Sequence, residues 1–463
     1  MQNNSTIAAI ATGEGGAIAV IRVSGSDAIA ICDKLFLGVN GRELHAQEGY
    51  TLLYGTIEPV EGEIIDDVLV SVFRAPFSFT GEDMVEISCH GSVYIKQEIM
   101  RLLVEAGAKP AQPGEFTLRA FLNGKMDLAQ AEAVADLIAS DSRGAHDLAL
   151  NQMRGGYSDE FRALRQQLID LAALLELELD FSEEDVEFAD RSQIRDLMDR
   201  LAVKIGSLKD SYAWGNVIKN GIPVAIVGSP NVGKSTLLNA LLKEDKAMVS
   251  DIPGTTRDVI EDVMNIQGIQ FRFIDTAGIR YTDDALEVMG IERTFKRITN
   301  ASVILFVAEA TESAEVIQSQ LKGIDWRPRQ HTAIVLNKSD KAGKEAGKLA
   351  AELEKESGLP VFVLSAKSGK NIDTLTDYLY SLAGHKPEGT EVIVTNARHY
   401  EALSEAYAAI EKARSALDAN LTGDLLAEDV RGVIHHVGGI TSEGIITSEN
   451  VLHTIFSRFC IGK

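Results

Sequence analysis

One segment of this sequence has the residue types and spacing needed to hold a chain of phosphates. Gly228-Ser229-Pro230-Asn231-Val232-Gly233-Lys234-Ser235 matches the pattern G-x-x-x-x-G-K-[ST]. It follows the apolar run PVAIVG and precedes the amphipathic run TLLNALLK, which predicts a strand, then the loop, then a helix. Glycines let backbone N–H groups turn towards an anion, and the helix start adds its positive dipole end. We expect Lys234 to contact the β and γ phosphates and the Ser235 hydroxyl to bind Mg²⁺.

Three later segments carry residue types suited to Mg²⁺, to the γ phosphate and to a guanine base. Each of them ends an apolar run: Asp275-Thr276-Ala277-Gly278 ends FRFID, Asn337-Lys338-Ser339-Asp340 ends TAIVLN, and Ser365-Ala366-Lys367 ends VFVLS. Asp275 is expected to hold Mg²⁺ through water, and the Gly278 N–H to meet the γ phosphate. Their order along one domain predicts a single nucleotide site.

Selection of guanine is predicted to depend on the second and third of these segments. The Asp340 carboxylate can accept hydrogen bonds from both N1–H and N2–H₂ of guanine. Adenine offers no such pair of donors, so GTP is expected rather than ATP. The Lys338 stem can lie along the base, and the segment 365–367 can offer a backbone N–H to guanine O6.

Residues that could support hydrolysis are less clearly marked. Many GTPases place a glutamine straight after the D-x-x-G element to orient water, but this chain has Ile279 there. The side-chain oxygen of Asn231 suits a monovalent cation beside the phosphates, which could replace an arginine finger. Glu287 could position the attacking water through a second water, although on chemistry alone a solvent-facing helix charge explains that residue better.

The segment Gly254-Thr255-Thr256-Arg257-Asp258 lies between the phosphate loop and Asp275. Its position makes Thr256 a candidate to complete the Mg²⁺ shell. Taken alone, the motif is explained equally well by a solvated turn.

Hydrophobic periodicity predicts how these segments are placed. Residues 1–120 are predicted to be mixed α and β, with strands at 17–25 and 84–91 and a helix at 94–107. From 222 onwards, short strands alternate with helices, which predicts a parallel sheet covered on both faces. The remaining segments are predicted to be helical; they are 158–180, 192–212, 397–417, 425–440 and a final short helix.

A capping box is predicted at the start of another helix. Asp127 is followed three residues later by Gln130, and an apolar stripe begins there. The stripe consists of Leu128, Ala131, Val134, Leu137 and Ile138. The simplest assembly is an α/β domain inserted into a helical one, with domains at 1–120, 121–217, 218–384 and 385–463.

The totals exclude several classes of protein. The chain has 463 residues and a formal net charge of −23, which opposes nonspecific attachment to nucleic acid, so any such contact needs a local basic patch. Cys32, Cys89 and Cys460 are far apart and odd in number, so we expect no disulfide framework and no zinc site, as suits a reducing cytoplasm. No secretory signal and no membrane span are expected.

As a set, the motifs resemble the MnmE family of tRNA modification GTPases, also called TrmE. Four stretches outside the nucleotide-binding segments carry the resemblance: GEGGAIAVIRVSG, SFTGEDMVEISCHG, QPGEFTLRAFLNGKMDLAQAEAVADLI and the terminal FCIGK. The resemblance implies a multidomain α/β protein with three parts. They are an N-terminal α+β folate-binding domain that mediates homodimerisation, a mostly α-helical middle domain, and an inserted Ras-like P-loop GTPase domain with a central sheet.

The resemblance also implies an activity and partners. The family acts with the flavoprotein MnmG, expected here as a heterotetramer, on carbon 5 of the wobble uridine (U34) of certain tRNAs. The group added is carboxymethylaminomethyl or aminomethyl, and its methylene carbon comes from methylenetetrahydrofolate; 5-formyltetrahydrofolate is the other candidate ligand. FAD is expected only through MnmG.

Individual residues acquire roles from the resemblance. The implied K⁺ ligands are Asn231, Ser250, Ile252 and Thr255, and the implied Mg²⁺ ligands are Ser235 and Thr256. Ser250 departs from the threonine frequent in the family but keeps a hydroxyl and a carbonyl. The family's catalytic glutamate falls on Glu287, which reverses the preference stated above. The implied folate ligands are Arg22, Glu86, Lys125 and Lys463.

One residue of the C-terminal motif has two possible roles. Cys460 has been considered a catalytic thiol in the family, and a small packed residue near the folate pocket is the alternative.

The complete set predicted to bind GTP is Asn231, Val232, Gly233, Lys234, Ser235, Thr236, Ser250, Asp251, Ile252, Pro253, Gly254, Thr255, Thr256, Asp275, Thr276, Ala277, Gly278, Asn337, Lys338, Asp340, Ser365, Ala366 and Lys367.

Two other functions remain open. An Era-like translational or ribosome-assembly GTPase would explain the nucleotide segments equally well, but not the terminal FCIGK or the N-terminal stretches. A folate-binding scaffold with a vestigial nucleotide domain would explain those stretches, but not the intact nucleotide segments.

Overall fold

The structure is a computed structural model. It describes residues 5–59, 63–181, 191–244, 262–274, 301–322, 331–384, 392–419, 421, 423–442, 449–457, 459 and 461–462. The chain divides into two compact units. Unit 1 comprises Met1–Ala139, Ala149–Ala202 and Glu405–Lys463, and unit 2 comprises Ser140–Leu148 and Val203–Ser404.

Unit 1 contains a seven-stranded sheet in the order β3-β4-β5-β6-β2-β1-β7. Neighbouring strands are antiparallel, except that β1 and β7 are parallel. The predicted strands at 17–25 and 84–91 are confirmed as β2 and β6. The strand bounds are β1 Ile7–Ile10, β2 Ile18–Ser24, β3 Phe36–Gly38, β4 Thr51–Ile57, β5 Asp66–Phe73, β6 Met84–His90 and β7 Lys109–Pro110.

Two helices cover one face of this sheet. They are α1, Ala28–Asp33, and α2, Val93–Glu105, which confirms the helix predicted at 94–107. Alternate residues of the strands point into this core because side chains in a strand alternate between its faces. Val68, Val70 and Val72 of β5, for example, are fully buried there.

The other described helices of unit 1 follow the predicted pattern, with one correction. α4, Leu128–Ala139, begins with the predicted capping box, since the Gln130 N–H donates to Asp127 Oδ1 and the Asp127 N–H donates to Gln130 Oε1, each at 2.9 Å. The predicted apolar stripe is wrong at its end: Ile138 is 47% exposed, whereas Glu132 is 6% exposed. Periodicity shows which residues share a helix face, but not how far the neighbouring elements extend along it.

The helices outside the unit 2 sheet have the following bounds. They are α3 Glu115–Leu122, α4 Leu128–Ala139, α5 Arg143–Met153, α6 Gly156–Phe181, α7 Arg191–Asn220, α13 Ala397–Asp418, α14 Gly423–Thr441 and α15 Glu449–Phe456. α5, α7 and α13 each contribute residues to both units. The predicted boundaries after residues 120 and 217 fall within α3 and α7, and the division into four domains stays a prediction. None of the helices in the described part of the chain is both long and apolar enough to cross a membrane.

Unit 2 contains a six-stranded sheet in the order β13-β12-β11-β8-β10-β9. Five strands are parallel, but β9 is antiparallel to β10, so the prediction of a parallel sheet is wrong at this edge. The cause is a two-residue turn, Gln267-Gly268, in which both residues have positive φ, at 51° and 88°. The bounds are β8 Ile222–Val227, β9 Asp262–Ile266, β10 Ile269–Phe273, β11 Val303–Glu309, β12 His331–Asn337 and β13 Val361–Val363.

Helices cover both faces of the unit 2 sheet, as predicted. α8, Lys234–Glu244, and α12, Ile372–Leu382, contribute to the core on one face. α9, Ala314–Lys322, and α11, Glu345–Ser357, contribute to the core on the other. A short helix, α10, Ser339–Ala342, follows β12. Because the loops after parallel strands all leave the same edge of a sheet, this arrangement brings the predicted nucleotide segments together.

Candidate nucleotide-binding site

The phosphate loop lies between β8 and α8, as its sequence context predicts. Two of its glycines have backbone angles that disfavour side chains, with φ of +146° at Gly228 and +94° at Gly233. A Cβ on Gly228 would lie 2.1 Å from the Val307 carbonyl oxygen, and one on Gly233 would lie 2.4 Å from Asn337 Nδ2. Both glycines therefore allow the loop to approach β11 and β12, the strands that carry the rest of the site.

The Lys234 side chain folds back over this loop. Its Nζ donates to the Gly228 carbonyl at 2.8 Å and to the Ser229 carbonyl at 2.7 Å. The ammonium therefore lies where the loop would enclose phosphate. Phosphate oxygens are charged acceptors and so form stronger hydrogen bonds with an ammonium than carbonyls do. Ser235 lies in the first turn of α8, one residue after Lys234.

Asn337, the last residue of β12, connects the phosphate loop to the segment 365–367. Its Nδ2 donates to the Val232 carbonyl at 2.9 Å, and its Oδ1 accepts the Ala366 N–H at 3.0 Å and the Lys338 N–H at 2.8 Å. Only 2% of Asn337 is exposed, so these bonds are made away from water. A buried amide with both ends satisfied holds its partners firmly, because breaking any of them leaves a polar group without a partner.

The next residue, Lys338, spans the site from the base side to the phosphate side. It has left-handed backbone angles, φ 59° and ψ 36°. Its Nζ donates to the Asn231 carbonyl at 2.7 Å and to Glu309 Oε2 at 2.6 Å. Its stem therefore lies across the mouth of the loop, consistent with a base packed along it.

Asp340, the residue predicted to bind guanine, is hydrogen-bonded and ionised. The Ser365 hydroxyl donates to Asp340 Oδ1 at 2.6 Å. That hydrogen bond is the main reason that the pKa of Asp340 is lowered, with smaller contributions that include Lys341 and Lys367. The side chain is exposed and ionised at neutral pH, so its carboxylate is available to the N1–H and N2–H₂ groups of guanine.

Glu309 is a residue of this site that motif reasoning missed. It ends β11, and its partner in the parallel register is Asn337. The sequence contained a signal, because VILFVAE ends in an acid at the carboxyl edge of the sheet where the other site residues were predicted. No named motif includes it, so the signal was not recognised.

Several predicted site residues lie outside the described residues. They are Ser250, Asp251, Ile252, Pro253, Gly254, Thr255, Thr256, Asp275, Thr276, Ala277, Gly278, Glu287, Cys460 and Lys463. Each of the two predicted cation sites has one oxygen ligand among the described residues: Ser235 offers a hydroxyl for Mg²⁺ and Asn231 an amide oxygen for K⁺, and hard cations prefer oxygen ligands. Asn231 has a left-handed φ of 61° and is exposed at the tip of the loop.

A second group of predicted residues meets in unit 1. Arg22 of β2 and Glu86 of β6 are register partners, and Arg22 Nη2 lies 2.7 Å from Glu86 Oε1. The guanidinium carbon is 5.3 Å from the Phe79 ring centroid and 5.6 Å from that of Phe116. Arg22 Nη1 also donates to the Gly462 carbonyl at 3.4 Å, which places the C-terminal motif beside this ion pair.

Lys125 contacts the loop that carries Phe79 at another point. Its Nζ donates to the Pro76 carbonyl at 2.9 Å. The buried Arg119 forms an ion pair with Glu82 of the same loop, with 3.2 Å between Arg119 Nη1 and Glu82 Oε2. The structure thus places Arg22 and Glu86 together, and Lys125 against the loop that carries Phe79.

The strand–loop–helix phosphate site and the base-recognition segments at one sheet edge define a P-loop GTPase. Family models for the MnmE helical domain and for the GTP-binding protein TrmE N-terminus match residues 128–460 and 6–125. The chain belongs to the MnmE family of tRNA modification GTPases.

Close relatives share the whole length of the chain. It is 52% identical to the tRNA modification GTPase MnmE of Bacteroides fragilis and 49% identical to that of Christiangramia forsetii, with all of each chain covered. Among solved structures, the G domain of the T. maritima FeoB iron transporter aligns at 25% identity over 35% of this chain and 98% of its own. The TM-score is 0.26, too low to support any argument.

The bonds of Asn337 generate a prediction. In Asn337→Asp, the carboxylate can still accept the Ala366 and Lys338 N–H groups but repels the Val232 carbonyl in place of donating to it. The affinity for GDP should fall at least about tenfold, equivalent to about 1.4 kcal/mol. Asn220→Asp, an exposed site whose amide donates to Asn216, is the matched control and should bind GDP like the wild type. Unchanged GDP affinity in Asn337→Asp would show that the connection is not needed.

Proposed function

We propose that this chain hydrolyses GTP during the modification of tRNA. The main support is the connected set of contacts among the phosphate loop, Asn337, Lys338 and Asp340. It is supported by the relatives, which are named tRNA modification GTPases over their whole length.

The reaction we propose is the one implied by the family resemblance. Together with the flavoprotein MnmG, the protein would add a carboxymethylaminomethyl or aminomethyl group to carbon 5 of the wobble uridine. Unit 1 would hold the folate that supplies the methylene carbon, and FAD would belong to MnmG. The division proposed is an N-terminal domain at 1–120, a helical domain at 121–217 and 385–463, and a G domain at 218–384.

The ion pair in unit 1 supports a role in folate binding. Glu86 can accept hydrogen bonds from the N–H groups of a pterin, and the partly exposed Phe79 ring gives an apolar wall of the kind that flat heterocycles pack against. Arg22 presents a cation beside that wall, and Lys125 and Lys463 would supply further cations for a glutamate tail. The carbonyl of Gly462 at Arg22 supports participation of the C-terminal motif.

Exposed apolar side chains on strands of the described unit 1 sheet support homodimerisation. Tyr54 of β4 and Leu69 of β5 are cross-strand partners, and both are exposed. Leu52 and Ile18 are exposed as well. Apolar side chains grouped on a sheet face are typical of a surface that another protein covers, and we propose a second copy of this chain, with MnmG completing a heterotetramer.

Hydrolysis is proposed to use residues of the phosphate loop together with segments outside the described residues. Mg²⁺ and K⁺ would both supply positive charge to the phosphates. The proposed ligands of Mg²⁺ are Ser235 and Thr256, and those of K⁺ are Asn231, Ser250, Ile252 and Thr255. Lys234 would bind the β and γ phosphates, and Glu287 would orient the attacking water. Ile279 occupies the position of the usual glutamine and cannot orient water, and the family resemblance assigns that task to Glu287.

Complementation tests the proposed function. In a bacterial strain that lacks its own MnmE-family protein, wild-type chain should restore the carbon 5 group on wobble uridine, measured by mass analysis of tRNA nucleosides. Lys234→Ala should fail to restore it because phosphate binding is lost, and Arg22→Ala should fail because the proposed folate site is lost. Arg101→Ala, an exposed arginine paired with Glu98 and Glu105 on α2, should restore it fully. Normal tRNA in the Lys234→Ala strain would refute the role of GTP, and ribosome defects without a tRNA change would favour an Era-like function.

The cation assignment makes a second prediction. GTP turnover by the purified chain should be faster in KCl than in NaCl at equal ionic strength, by about tenfold or more, because the monovalent site stabilises charge developing on the phosphates. In Asn231→Ala the two salts should give the same slow rate. Melting temperatures of both proteins verify that the left-handed position tolerates alanine. Equal rates for the wild type in the two salts would contradict the assignment.

A further inference from the structure

The carboxylate of Glu309 lies at the carboxyl edge of the unit 2 sheet, between the base side and the phosphate side of the site. Glu309 Oε2 accepts from Lys338 Nζ at 2.6 Å, and Glu309 Oε1 lies 3.8 Å from Lys341 Nζ. The backbone adds to this placement, since the Ala310 N–H donates to the Asn337 carbonyl at 2.8 Å. The carboxylate is thus attached to the same strand ends that carry the nucleotide segments.

The pairing fixes a side chain that would otherwise sample many rotamers. A lysine loses about 2 kcal/mol of rotamer entropy when it is held in one conformation. The Asn231 carbonyl at 2.7 Å is one anchor for its ammonium, and Glu309 is the other. The two anchors lie on different elements, so both must be present to keep the stem across the mouth of the phosphate loop.

The charge of Glu309 is maintained in this setting. The hydrogen bond from Lys338 is the largest cause that lowers the pKa of its carboxyl, and the Lys338 charge, the Thr311 hydroxyl and Lys341 lower it further. Partly exposed ion pairs add little to folding stability, commonly below about 1 kcal/mol. Stability is therefore a weak reason for an acid at this position, whereas orientation of Lys338 is a direct consequence of the geometry.

We propose that Glu309 is a positioning residue that prolongs the lifetime of bound guanine nucleotide by holding Lys338 between the base and the phosphate loop. This inference rests on the proposed binding of guanine nucleotide at this site. Lys338, which Glu309 holds in place, also joins the base-recognition segment to the Asn231 carbonyl. Loss of Glu309 therefore loosens the stem along the base and the loop around the phosphates together.

A double-mutant cycle on the full-length chain tests the proposal. The probe is GDP carrying a fluorescent N-methylanthraniloyl group on its ribose, and the measurement is its rate of release. Glu309→Ala should release it at least about fivefold faster than the wild type, and Glu309→Gln, which keeps an acceptor but not the charge, should fall between the two. Glu309→Ala should have no further effect in a Lys338→Ala background, because the glutamate acts only through that lysine.

Lys412→Ala is the matched control. It removes an exposed lysine whose ammonium pairs with Asp429 in unit 1, so release should match the wild type. Melting temperatures measured without nucleotide show whether each variant is folded. If Glu309→Ala does not fold, the release rate of Glu309→Gln is compared with that of the wild type instead.

Two results would overturn the inference. One is wild-type release from both folded Glu309 variants. The other is a further several-fold acceleration by Glu309→Ala in the Lys338→Ala background, which would show a general structural role. Failure of the wild type to bind the labelled GDP would instead refute the proposed nucleotide function, so the two failures are distinguishable.

Discussion

The hydrogen bonds of one buried amide hold together the parts of the nucleotide site. Asn337 donates to the phosphate loop through the Val232 carbonyl and accepts from Ala366 in the segment after β13. It thereby links two loops that lie far apart in the sequence of unit 2. The side chain is effective because water cannot compete for its partners.

The parallel sheet makes these short-range bonds possible. β8, β11, β12 and β13 all end at the same edge, so each loop that follows them emerges beside its neighbours. Gly228 and Gly233 then allow the phosphate loop to approach β11 and β12 more closely than any residue with a Cβ could. Glu309 and Lys338 add a charged contact at the rim of the same edge, where it reaches Asn231. The residues proposed to select the base and those proposed to bind the phosphates are thus parts of one connected network.

Sequence patterns predicted most of the elements, and the exceptions have physical causes. The capping box at Asp127 and Gln130 was predictable because both of its bonds are local. The antiparallel β9 is an exception because alternation of strands and helices predicts parallel connections, whereas Gln267-Gly268 is a two-residue turn of the kind that joins the strands of a hairpin. The partners of Asn337 could not be read from sequence, since Val232 and Ala366 are distant along the chain. Glu309 was missed because its meaning depends on its register with β12, which only the sheet order reveals.

Titration calorimetry of the purified chain tests whether this edge of the sheet binds guanine nucleotide in preference to adenine nucleotide. With Mg²⁺ present, GDP should bind at one site per chain and ADP at least about a hundredfold more weakly, because adenine leaves the ionised Asp340 without its two donors. Equal heats and equal affinities for GDP and ADP would show that this site does not select guanine.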